Sequence, residues 1–338
     1  MINKKIYWMG CDLGKQSFTV ALARPDRPNE KWANLPHAEF AHTPKGVTAL
    51  LAWLQEQHAS QQLAGVCVEA TGCYTRQWLR LLGERLGGVS VVNPIGPKRF
   101  KELLRIREKS DRVDAAACAL FGVSRQPEPT PLAQGTQQKL RELYRLFLRL
   151  QTERDAHKNR LECAPEEKTA RSVLRTMLKT LEREMRKLED AMNALIQQDT
   201  SMHEDAQNAQ SIPGVGPRTI QALFAEFGDL RQYTRNQLVA LSGLYPREYS
   251  SGTSVYKKPR MAKGGGARIR KTLYMAAMSA RRYNPHLRAF YQRLIDNGKR
   301  PMESLGAVMR KLLLLIRAVV ISGAPYDPGF DTRKTIFP

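Results

Sequence analysis

From Leu140 to Leu195 apolar side chains recur at three- and four-residue intervals, a spacing that forms a continuous seam only on an α-helix. Leu140, Leu143, Phe147, Leu150, His157 and Leu161 make one run. After Pro165, Leu174, Leu178, Leu181, Met185, Leu188, Met192 and Leu195 make a second. Proline has no amide proton to give a helix interior, so the segment reads as two long helices with a break between them. So narrow a seam calls for a partner helix, in a coiled coil within the chain or between chains. A helical hairpin packed only on itself is the simpler alternative. Pro127, Pro129 and Pro131 form a linker ahead of these helices. The expected division is therefore residues 1–126, 127–205 and 206–338, and 338 residues suffice for a core in each folded part.

The first stretch alternates strand and helix signals. Ile6 to Asp12 is a short apolar run closed by Gly14, which predicts a buried strand, and Phe18 to Ala23 predicts a second, ended by Pro25 and Asp26. Lys31 to Leu35 is the expected third. Thr43-Pro44 supplies a cap and a first-turn proline for a helix that continues through Val47, Leu50, Leu51 and Leu54. Leu63 to Glu69 then reads as a strand, Tyr74 to Leu86 as a helix, Val89 to Val92 as a strand stopped by Asn93-Pro94, and Arg112 to Phe121 as a helix. This order predicts a mixed α/β layer fold.

On that scaffold four carboxylates fall at element ends. Asp12 ends the first strand and Glu69 a later one, and neighbouring strand ends in one sheet bring side chains close together. Asp111 and Asp114 are three apart, which puts them on one face of a helix. Two have a plain alternative: Asp111 as a helix cap, Asp12 as a turn residue before Gly14. Glu69 follows the apolar Val66-Cys67-Val68 and has no evident local partner. Clustered anions repel, so together they point to a bound cation, and an all-oxygen set suits Mg²⁺.

The rest of the chain is cationic. It has 54 Lys and Arg against 32 Asp and Glu, a formal charge of +22, and a pI near 10.0. That surplus implies polyanionic partners. Membrane insertion is excluded by the absence of any stretch near ~20 uninterrupted apolar residues, and Met1 to Lys5 lacks the apolar core of a signal peptide. Cys11, Cys67, Cys73, Cys118 and Cys163 are odd in number and show no CxxC pairing, as expected of reduced thiols in a cytoplasmic protein.

Acids at these stations resemble the RNase H-like fold in its RuvC-like form. Three segments carry a closer match: Gly10-Cys11-Asp12-Leu13-Gly14-Lys15, Val68-Glu69-Ala70-Thr71-Gly72 and Lys109-Ser110-Asp111-Arg112-Val113-Asp114-Ala115. Through them the chain resembles the DEDD transposases of bacterial insertion sequences, bridge-RNA-guided recombinases related to the pilin-gene invertases. The resemblance implies that Asp12, Glu69, Asp111 and Asp114 are catalytic ligands of Mg²⁺. It further implies DNA as target and donor, a structured guide (bridge) RNA, a homo-oligomer (a dimer, or a tetramer on DNA), and two catalytic centres that combine across protomers.

The last stretch reads as mainly helical. Ser211-Ile212-Pro213-Gly214-Val215-Gly216-Pro217-Arg218-Thr219 resembles the hairpin of a helix-hairpin-helix, in which Gly214 and Gly216 let backbone pass close to a phosphate beside Arg218; a plain tight turn is the alternative. From Tyr249 to Ile295 no acidic residue occurs, while Lys257, Lys258, Arg260, Lys263, Arg268, Arg270 and Lys271 are followed by four more arginines. One-sign charge over that length predicts a phosphate-lined groove. A serine hydroxyl beside it could attack phosphorus, and chemistry alone does not choose among Ser250, Ser251 and Ser254. The family carries its nucleophilic serine just before a glycine and ahead of a basic stretch, which by resemblance is Ser251 in Ser251-Gly252-Thr253-Ser254. The expected activity is DNA cutting and rejoining through a serine–phosphate intermediate. A metal-dependent resolvase or nuclease that uses water is the alternative. A non-catalytic nucleic-acid-binding protein is the third.

Overall fold

A computed structural model of the chain describes residues 7–27, 31–59, 62–70, 72, 75, 78–79, 85–86, 88–130, 135–163, 166–251, 255–262 and 266–329, with backbone only for 248–259. The chain divides into two compact units, Met1–Leu132 and Ala133–Pro338.

The first unit is built on a five-stranded sheet of β1 (Tyr7–Leu13), β2 (Ser17–Ala23), β3 (His37–Ala41), β4 (Leu63–Glu69) and β5 (Val89–Val92), in the order β3-β2-β1-β4-β5. β1, β2 and β3 pair antiparallel, whereas β1 with β4 and β4 with β5 pair parallel. The third strand lies later than Lys31–Leu35. Trp32–Asn34 is a 3₁₀ turn, gripped by Arg112, which lies over the Trp32 ring and donates to the Ala33 carbonyl at 2.6 Å. His37–Ala41 instead alternates exposed and half-buried positions and pairs with β2 from Ala21↔His37.

Strand alternation gives the sheet two apolar faces. Met9, Cys11, Val66 and Val68 pack with Val47, Leu50 and Leu54 of α1 (Pro44–Glu56). On the opposite face Trp8 and Cys67 pack with Ala115, Cys118 and Ala119 of α3 (Asp111–Arg125), which follows α2 (Ile95–Leu103). The helix expected over Tyr74–Leu86 lies largely outside the described residues, although Trp78 within it is fully buried.

The second unit contains α4 (Gly135–Glu162), α5 (Lys168–Gln198), α6 (Thr200–Gln210), α7 (Pro217–Phe227), α8 (Arg235–Ser242), a hairpin of β6 (Pro246–Ser251) and β7 (Val255–Met261), then α9 (Ala267–Tyr283), α10 (Pro285–Asp296) and α11 (Pro301–Ser322). The hairpin adds a β element to a region whose pattern reads as helical. α4 and α5 pack on one another, and Leu140, Tyr144, Phe147, Met185, Met192 and Ile196 share one core with the apolar face of α11. Arg231 binds Asp205 of α6 through both carboxylate oxygens, at 2.6 and 2.7 Å, and donates to the Val320 carbonyl of α11 at 2.8 Å.

Candidate metal centre and nucleic-acid interface

The acidic site follows from one close crossing. A Cβ on Gly10 would lie 2.2 Å from the Ala115 carbonyl oxygen and 2.1 Å from the Ala119 nitrogen. Only glycine therefore lets α3 approach β1 so closely. Trp8, Gly10 and Asp12 share a sheet face by alternation, as do Cys67 and Glu69 on the adjacent parallel strand, where Gly10 pairs with Cys67. Two residues beyond the crossing, Asp12 and Glu69 thus reach the first turn of α3, where Asp111 and Asp114 sit.

Capping is settled by Ser110, whose hydroxyl accepts the Val113 amide at 3.3 Å, so Asp111 is left out of that role. Asp12 is half-buried and its carboxyl is pushed up to about 6, first by desolvation and then by the charges of Asp111, Asp114 and Glu69. Burial, and next the charge of Asp114, also raise Glu69, against the opposing pull of Lys101. The four acids therefore act on each other. Among the described residues, however, no group of three or more His, Cys, Asp or Glu side chains is close enough to hold one metal ion as it stands.

Lys101 is the residue that the sequence pattern did not single out. From the last turn of α2 its ammonium contacts Asp114 Oδ1 at 2.6 Å, with only 17% of the lysine side chain exposed. It supplies one positive charge to an anionic cluster. On donor chemistry the site fits a hard divalent ion: the four converging side chains are all carboxylates, and the nearby Cys11, Cys67 and Cys118 are buried thiols.

In the second unit Gly214 has φ +100°, and a Cβ there would lie 2.5 Å from Ala280 backbone atoms; its close approach is to α9 of the same chain. Gly216 has open space about it and precedes α7 without a side-chain cap. Arg218 is ion-paired with Glu189 and lies over the Phe147 ring. Arg268 pairs with Glu226 at 3.0 Å, Arg270 donates to the Ser242 carbonyl at 3.2 Å, and Lys271 reaches Gln151 at 3.5 Å. Much of the expected phosphate groove therefore also holds helices together. Arg260 is exposed on β7 and stands opposite Arg247 in register.

Ser251 ends β6, paired with Val255, and Lys257 pairs with Tyr249; Lys258 follows on β7. The side chains of Ser250, Ser251, Lys257 and Lys258 lie outside what is described, as do Gly252–Ser254 and Lys263 altogether. Among the described residues no helix is long and apolar enough to cross a membrane.

Comparison with known proteins agrees with this arrangement. A DEDD transposase model of the IS110 type matches residues 9–164, and a model described as "Transposase IS116/IS110/IS902 family" matches residues 206–292. The pilin gene-inverting proteins of Moraxella bovis and Moraxella lacunata are each 27% identical over 331 residues, 95% of this chain and 97% of theirs. A transposase for insertion sequence element IS1111A from Coxiella burnetii is 51% identical over 51 residues, covering 15% of this chain and 14% of its own. With both family models matched and invertase relatives aligned along nearly the whole length, the chain belongs to the IS110-type DEDD transposases, enzymes of DNA recombination.

Proposed function

We propose that the chain cuts and rejoins DNA with two sets of residues: the carboxylates Asp12, Glu69, Asp111 and Asp114, which hold Mg²⁺, and Ser251, which attacks phosphorus. The first unit is read as RNase H-like, of RuvC type. Its 3-2-1-4-5 strand order, with acids at the ends of adjacent β1 and β4, supports that reading. The observation that carries the metal assignment is the close crossing of α3 on β1 at Gly10, which brings the first turn with Asp111 and Asp114 to the strand ends with Asp12 and Glu69. A bound divalent ion supplies charge neutralisation and stabilises negative charge on the reacting phosphate.

The residues contribute distinct parts. The carboxylates neutralise and position, and Lys101 holds Asp114 in place. Ser251 is offered at the end of a strand before a glycine, in a cationic stretch that can offset charge on phosphorus. As the bond from the serine oxygen to phosphorus forms, the bond from phosphorus to the DNA oxygen breaks. The serine loses its proton and the departing DNA hydroxyl gains one. The number of phosphoester bonds is conserved, so rejoining needs no nucleotide cofactor. Guidance by a bridge RNA and assembly as a homo-oligomer complete the proposal. The charge of +22 accommodates two kinds of nucleic acid, with base pairing supplying specificity and the protein mainly phosphate contacts.

The deciding experiment incubates the purified chain with Mg²⁺, its co-purifying RNA and candidate DNA, followed by denaturing electrophoresis. A protein–DNA adduct that disappears with Ser251→Ala is the expected result. Nicked DNA with no adduct would instead assign metal-dependent hydrolysis by water. A mobility shift without strand change at any Mg²⁺ concentration would remove both.

A further inference from the structure

The first three turns of α5 carry a repeated pair that neither the acidic site nor the serine uses. Lys168-Thr169, Arg171-Ser172, Arg175-Thr176 and Lys179-Thr180 each place a hydroxyl residue directly after a cation, at intervals of three, four and four. On a helix those intervals align the cations in one row and the hydroxyls in an adjacent row. All eight residues are exposed. The apolar row of the same segment, Leu174, Leu178 and Leu181, is half-buried. Helical periodicity sets the cationic row roughly 100° round the helix from that apolar row, and the hydroxyl row nearly opposite it.

Two observations separate this stripe from an ordinary solvated face. From Lys168 through Leu181 there is no acidic residue, whereas beyond it the signs mix and Glu184 pairs with both Arg183 and Lys187. Like charges at i,i+4 oppose helix formation, and the nearest acid, Glu167, is taken up in capping the helix at the Ala170 amide and in binding Thr169. Among the described residues, the side chains of Lys168, Arg171, Arg175 and Lys179 make no ion pair or hydrogen bond. The hydroxyl row adds groups that can donate to phosphate oxygens, although Thr176 already donates its proton to the Ser172 carbonyl at 3.0 Å and Thr169 is engaged by the Glu167 carboxylate.

We infer that the outer face of α5 over residues 168–180 is a docking surface for the phosphate backbone of duplex DNA, recognising charge and spacing without reading bases. The ligand is DNA because the chain is a DNA transposase, and a regular ladder of cations follows phosphates rather than base edges. Successive cations four residues apart are about 6 Å apart along the helix axis, a ladder suited to following one strand. This inference rests on DNA as partner and on neither the metal nor the serine.

The test is binding of arbitrary-sequence duplex DNA by fluorescence anisotropy between 50 and 200 mM KCl (roughly the range over which counterion release is strongest), in an Asp12→Ala background so that cleavage plays no part. R171Q/R175Q/K179Q should weaken binding equally across sequences and make the slope of log K against log salt shallower by about 2 to 3, at roughly 0.9 per lost phosphate contact. R171K/R175K should keep the parent slope. Circular dichroism controls for folding; should the triple variant unfold, the three single variants each carry the same expectation of about 0.9. An unchanged slope and affinity on DNA overturns the inference, and so does a change confined to an RNA duplex or to self-association. Parent protein with no DNA affinity would defeat the premise itself. Loss of the adduct alone would leave the inference standing.

Discussion

Asp12 is half-buried on a sheet face that also presents Glu69 and meets the first turn of α3, so ionising it adds a fourth negative charge where three already act. Its carboxyl is raised from 3.8 to about 6. For an acid raised on folding, stability from the protonated form is fully present below 3.8 and is lost as pH rises through about 6. Without divalent ions, Asp12→Asn should therefore stabilise the protein at pH 7.5 by on the order of 2 kcal/mol and have little effect at pH 3.5. Chemical denaturation of both proteins across this range measures the difference, and a pH-independent offset would contradict burial and charge repulsion as the cause. Lys101 provides the complementary case. Lys101→Met leaves Asp114 without its 2.6 Å ammonium partner, at a cost of about 1–3 kcal/mol in metal-free buffer. Millimolar Mn²⁺ should recover more stability in Lys101→Met than in the parent. Equal recovery would mean that the lysine and the ion do not serve the same charge.

At the scale of elements, the site depends on how closely α3 lies on β1. Gly10→Ala forces a methyl group into backbone atoms of Ala115 and Ala119 that have no side-chain freedom to yield. An overpacking cost of about 1–3 kcal/mol is expected, together with weaker Mn²⁺ binding as the helix carrying Asp111 and Asp114 moves away. Thermal denaturation and Mn²⁺ titration should change together; lowered stability with unaltered ion affinity would separate the crossing from the site. This dependence also explains what the sequence could reveal. Asp12, Glu69 and the Asp111/Asp114 pair were legible because strand ends and three-residue spacing are local signals. Lys101 was not, since its partner lies thirteen positions away across a loop and the neighbouring Lys98 and Arg99 look equivalent in composition. The misplaced third strand has a similar origin: Trp32–Asn34 is fixed by Arg112, 79 positions from Ala33. The β6–β7 hairpin escaped because Pro246, Ser250, Ser251 and four cations dilute its alternation. Arg218 reads as a phosphate neighbour through its hairpin-like segment and Arg268 through one-sign charge, while their pairings with Glu189 and Glu226 are tertiary facts.

For the whole molecule, the proposed chemistry asks carboxylates and serine to act on a single phosphate. The α4–α5 pair bears on it. Its apolar residues are deeply buried near Phe147 and Met185, but toward the turn Leu174, Leu178 and Leu181 are only half-buried and Val173 and Met177 are exposed. A seam left incomplete in the monomer is what a second copy would cover. If protomers exchange centres in this way, serine from one chain acts with carboxylates from its partner, and inactive chains can complement each other. Mixing Ser251→Ala with Asp12→Ala at equal amounts gives statistical pairing in which half the dimers are mixed, each retaining one competent centre of two. The expected yield of protein–DNA adduct is about one quarter of wild type. A centre built within one chain predicts none at any ratio, because every chain then carries one fatal change. The two predictions diverge in a single denaturing gel, provided subunits are mixed before folding is complete or exchanged under mild denaturant. Adduct attached only to the Asp12→Ala chain, identified by a size tag, would assign the serine to that protomer and the acids to its partner.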